Sequence, residues 1–119
     1  MTITDAQELL SFATPQALEI PARIEQLNLG AHSLLLHISD LKDEAGQHEE
    51  DATAASADES NADKRKAKRA ELLRDDAEYF ALKAQIRDAE SMHTRVTERA
   101  ARLRREFQLH VAQAAQSVF

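Results

Sequence analysis

From Leu72 to Ala114, apolar residues recur at alternating spacings of three and four, and this pattern narrows the possible folds more than any other feature of the chain. One set runs Leu72, Tyr79, Ile86, His93, Ala100, Phe107 and Ala114; the other runs Leu82, Ala89, Val96, Leu103 and His110. A seam sustained over this many heptads predicts a coiled-coil helix, which needs a second apolar stripe to cover its own.

That stripe lies upstream. Ile20, Leu27, Leu34, Leu41, His48 and Ala55 form one register, and Ile24, Ala31, Ile38, Ala45 and Ala52 the other. The polar run Asp58 to Asp63 supplies Asn, Asp and Ser, whose side chains satisfy local backbone groups in turns and cap the following helix. A turn centred near Ser60 sets Leu41 against Tyr79, Ile38 against Leu82, Leu34 against Ile86 and Ile24 against Val96, so each core position finds a core position. The fold class expected is all-α: a long antiparallel helical hairpin with a short N-terminal helix, dimerising into a helical bundle. Its parts are a short helix over about 5–13, capped by Thr4; a long helix over about 21–57; a tip at about 58–62; and a second long helix over about 63–117, all in one domain of 119 residues.

Composition agrees, with only two glycines and two prolines to interrupt helices. Cysteine is absent, so disulfides and thiolate metal sites are excluded. No apolar run approaches the roughly 20 residues of a membrane span, and residues 1–12 lack the pattern of a signal peptide. A soluble protein with no membrane association is expected, with the cytoplasm as its location.

Charge is divided along the chain. Residues 1–63 carry thirteen carboxylates against Arg23 and Lys42, a net of −11, whereas residues 64–119 carry thirteen bases against eight carboxylates, a net of +5, which together give −6. Ion pairs across the hairpin, such as Glu19 with Arg99, account for part of this division. The densest basic run is Lys64, Arg65, Lys66, Lys68 and Arg69; a second cluster comprises Arg95, Arg99, Arg102 and Arg105, with Arg104 between them. Bases near a helix N-terminus oppose the macrodipole, so a run tolerated there points to a binding role, against the plainer reading of a solvated helix start paired with Glu49, Glu50, Asp51, Asp58 and Glu59. Phosphate contacts by either cluster are sequence-tolerant and weaken with salt. No aromatic residue interleaves with them, which disfavours base stacking.

Catalytic and cofactor chemistry find no constellation. No Gly-rich phosphate loop or Gly-x-Ser-x-Gly elbow is present, and no histidine pair has the spacing that places two metal ligands on one helix face. No enzyme activity, metal or cofactor is expected, and no small-molecule substrate. His93 and His110 sit at seam positions and are expected as packed residues. His48, beside Glu49, Glu50 and Asp51, reads as part of a solvated acidic tip rather than a cation site. Leu29, Leu36, Leu73 and Phe80 point away from the seams and are expected to form the oligomer interface, since two helices alone bury little.

Between Asn61 and Phe107 the chain resembles small coiled-coil proteins encoded by bacteriophages and prophages, through Asn61-Ala62-Asp63-Lys64-Arg65, Asp76-Ala77-Glu78-Tyr79 and Leu103-Arg104-Arg105-Glu106-Phe107. Some of those proteins are encoded among replication and recombination genes. The resemblance implies an accessory role beside DNA or DNA-handling proteins; the alternative is a protein–protein adaptor or inhibitor acting through the acidic tip or the off-seam apolar face.

Overall fold

A computed structural model describes residue 6 and residues 19–118 of the chain. The expected seams appear as a helical hairpin, with no strand among the described residues. Helix α1 spans Ile20–Ala55, α2 spans Ala62–Arg74 and α3 spans Ala77–Val118. The short helix expected over 5–13 lies outside the described residues except at Ala6, which is helical and fully buried. Pro21 falls in the first turn of α1, where its missing N–H forfeits no intrahelical bond.

The described residues belong to two compact units: one formed by residues 1–36 with 89–119, the other by residues 37–88. Both draw on α1 and α3. In the first, Ile20, Leu27, Ala31 and Leu34 of α1 cluster with Met92, Val96, Ala100 and Leu103 of α3, with Ala6 among them and Ile24 and Phe107 at the margin. In the second, Leu41 and Ala45 pack with Leu82 and Ile86, and Tyr79 closes the edge.

The long second helix expected over 63–117 is interrupted. Asp75 and Asp76 stand outside both helices and separate α2 from α3. The cause is local: aspartate is a poor interior helix residue and a strong N-cap. Asp76 accepts the Tyr79 N–H on its own Oδ1 at 3.0 Å, starting α3, while the Asp75 N–H closes α2 on the Glu71 carbonyl and the Asp76 N–H on that of Leu73.

The residues that meet also differ from the expected pairs. Tyr79, expected opposite Leu41, instead lies beside His48, with ring centroids 6.3 Å apart, and donates its hydroxyl to Glu49. His48 stands one heptad nearer the tip than Leu41, so α1 and α3 are offset by a heptad from the expected pairing. An offset of this size still sets apolar residues against apolar residues, and Leu27, Leu34, Leu41, Leu82, Ile86, Val96 and Leu103 stay buried. Flanking residues do not survive it: among the described residues Glu19 and Arg99 form no ion pair, and Arg104 instead donates to Asn28 Oδ1 at 3.0 Å.

Other departures are individual. Met92 is buried where His93 was expected, and the imidazole takes the half-exposed edge, because a thioether loses nothing by leaving water and an imidazole does. His110 and Ala114 are exposed rather than packed. The tip is displaced slightly toward the N-terminus: α1 stops at Ala55, and Ser56 turns inward, closing the helix with its N–H on Ala52 O and its hydroxyl on Thr53 O.

Two substitutions test this packing by thermal and urea denaturation. Leu34 is fully buried, so Leu34→Ala is expected to cost about 2–5 kcal/mol. A Cβ added at Gly46 meets no atom within 4 Å, so Gly46→Ala is expected to gain about 0.5–1 kcal/mol from helix propensity alone.

Candidate functional site

Helix α2 is held chiefly by its ends. Asn61, extended at φ −150° and ψ 171°, accepts the Lys64 N–H on its side-chain oxygen at 2.8 Å, and Asp63 offsets the positive end of the helix. None of the thirteen residues is buried. A helix with no buried residue gains little from packing.

Five of the six residues from Lys64 to Arg69 are basic, and at about 100° per residue they encircle the helix. Lys64, Arg65 and Lys66 are exposed; Lys68 and Arg69 are half-buried toward α1. Their partners are mostly neutral. Arg65 donates to the Glu59 carbonyl at 3.1 Å and Arg69 to Thr53 Oγ1 at 2.9 Å, while Lys68 lies 4.0 Å from Glu71 of its own helix. Among the described residues, none of these five bases forms a salt bridge with Glu49, Glu50, Asp51, Asp58 or Glu59. Lys68 apart, their positive charge therefore faces water without a paired carboxylate. A shallow groove lined by Gly46, Glu49, Thr53 and Arg69 lies along this contact.

The second cluster belongs to the other unit and stands by itself. The i, i+4, i+7 and i+10 spacing of Arg95, Arg99, Arg102 and Arg105 places them on one side of α3. Arg95, Arg102 and Arg105 are exposed and Arg99 is half-buried, and none of the four is within salt-bridge distance of a described carboxylate.

The off-seam apolar residues are also solvent-facing. Leu29 is 62%, Leu36 56% and Phe80 69% exposed, whereas Leu73 is half-buried. Leu35, Leu109 and Val111 are exposed as well, and the heptad pattern did not single them out.

A polar cluster at the α2–α3 break was likewise missed. His48 Nδ1 lies 2.6 Å from Asp76 Oδ2, and its Nε2 lies 3.7 Å from Glu78 Oε2. Tyr79 donates to Glu49 Oε1 at 2.6 Å, beneath the Lys83 ammonium at 6.0 Å from the ring centre. The hydrogen bond to Asp76 holds the His48 imidazole above its ordinary value against a smaller opposing effect of desolvation. Asp76 is held below the ordinary carboxyl value by the Tyr79 N–H first and His48 second. The bond to Glu49 raises the Tyr79 phenol. Successive aspartates before Ala77-Glu78 are an N-cap signal in mid-seam, and they were the sequence clue to this cluster. No grouping of three or more metal-ligating side chains occurs among the described residues, and no described helix is long and apolar enough to cross a membrane.

No protein family model, curated protein or solved structure matches the chain.

The dependence of α2 on its cap is measurable. Asn61→Ala is expected to cost about 0.5–2 kcal/mol locally, lowering amide-exchange protection along α2 while leaving that of Leu82 and Ile86 in α3 unchanged.

Proposed function

We propose that the chain is a non-enzymatic helical-hairpin protein that binds the phosphate backbone of DNA, as an accessory to DNA replication or recombination of the kind encoded by phages. One observation carries this reading: α2 presents five bases in six residues, buries none of them and pairs none of them with the acidic residues of the tip. A helix contributing so little apolar packing, yet carrying this charge against its own dipole, is suited to an anionic partner. The exposed arginines at 95, 102 and 105, with Arg99, offer the same chemistry in the other unit. The resemblance of three segments to phage-encoded coiled-coil proteins supports the DNA context. Lysine and arginine without interleaved aromatics favour contacts that hold the backbone and leave the bases unread.

A second reading has its own support. Leu29 and Leu36 are one heptad apart and more than half exposed, and such a stripe is suited to a helix of a partner or of a second copy. On that reading the chain is an adaptor or inhibitor, and the acidic tip from Glu49 to Asp63 contributes to partner choice.

Titration of labelled single- and double-stranded DNA at salt from about 50 to 200 mM separates the two. Saturable binding whose affinity falls steeply with salt is expected, and charge reversal at Lys64, Lys66 and Lys68 together is expected to abolish it. If that variant binds as the native chain does, α2 is not the contact surface. For the second reading, Leu29→Glu with Leu36→Glu is expected to lower the solution mass measured by sedimentation; an unchanged mass removes both leucines from any self-interface.

A further inference from the structure

We propose that the contact between His48 and Asp76 is a pH-dependent latch that fastens the α2–α3 break to α1. Three geometric facts meet there. The break is only two residues long, Asp75 and Asp76, and α2 on one side of it has no buried residue. The Asp76 carboxylate is shared: Oδ1 takes the Tyr79 N–H that starts α3, and Oδ2 takes His48 Nδ1 from α1. One ionised side chain thus both begins a helix and ties that beginning to the facing helix. Because a carboxylate only accepts, the imidazole must donate, and the protonated ring donates most strongly.

The charges around His48 favour its protonated form. Asp76 of the break and Glu78 of α3 face it, and Asp51 acts on it from its own helix. Glu44 lines the same groove as His48 and Glu78. Two cations stand nearby, and both act on Tyr79: Lys83 lies over its ring, and Arg69 of α2 works against the rise in its phenol. The negative groups outnumber them around the imidazole. Loss of the His48 proton leaves Asp76 beside Glu78 with a weakened partner, and the joint between α2 and α3 loses its charge-assisted tie to α1.

The direction with pH follows from the two shifts. His48 is raised, so its contribution is full below about 6.5 and is lost as pH rises through the raised value. Asp76 is lowered, so its contribution is present above the ordinary carboxyl value and is lost as pH falls through the depressed one. The latch is closed between those limits and opens on the alkaline side, as pH rises through the raised histidine value.

Proton NMR of the full chain, titrated through this range, tests the latch without any ligand. The His48 ring is expected to titrate above 6.5, and Asp76→Asn is expected to return it toward that value. Asparagine keeps a capping oxygen for the Tyr79 N–H, so the variant retains α3. Over the same range, the protection factors of the Tyr79 and Phe80 amides, both bonded to Asp76, are expected to fall as pH rises through the His48 titration. In Asp76→Asn they are expected to be flat. A native His48 that titrates at or below the ordinary value overturns the proposal, as does protection that stays constant through its titration.

Discussion

A seam between two helices buries each apolar side chain against one facing helix only, so the pairing of α1 with α3 decides what every other part of the chain can do. Heptad periodicity makes that pairing favourable but leaves it degenerate: sliding one helix by seven residues restores apolar against apolar. Polar groups that pair in one alignment and not in the next lift that degeneracy. In the unit of residues 37–88 these are His48 with Asp76 and Glu49 with Tyr79, and in the other unit Asn28 with Arg104. The apolar stripe supplies the stability; the polar contacts choose among alignments of nearly equal burial. This division of labour resembles the polar core position that fixes alignment in coiled coils at little gain in stability.

This explains which parts of the structure were legible in the sequence. Leu27, Leu34, Leu41, Val96 and Leu103 were readable as core because burial depends on period, and period is a property of the sequence alone. The facing partner of each was not, because alignment depends on where the connection begins and on whether the second helix is continuous. Asp75-Asp76 carried that information as a cap signal inside an apolar pattern, and a seam that continues on both sides of the cap conceals it. The same concealment hid the polar cluster, since Tyr79 fits a seam position by size and His48 fits one by number. Both occupy their positions through hydrogen bonds as well as packing.

The two basic clusters differ in how readily sequence and structure agree on them. Lys64 to Arg69 was visible as a run, but whether the acidic tip consumed its charge could be judged only from side-chain placement. Arg65 and Arg69 give their guanidinium groups to a carbonyl and a hydroxyl, which hold the side chains in place without neutralising them. A guanidinium fixed by a neutral acceptor keeps most of its field and loses part of its rotamer freedom, so less entropy remains to be lost on meeting a phosphate. The division of charge along the chain is thus not cancelled around α2.

The break at Asp75 and Asp76 sets α2 apart as a short helix of its own. A continuous helix from residue 63 onward would have carried Lys64 to Arg69 as the rigid extension of a packed rod. Interrupted at Asp75 and Asp76, the basic segment depends on Asn61 at one end, on Asp75 at the other, and on the contacts of Arg65 and Arg69 between them. Its local stability can therefore lie well below that of the Leu41, Ala45, Leu82 and Ile86 core in the same unit. The Asp76 carboxylate joins the two regimes, since it starts the packed helix and pairs with His48 of the facing helix.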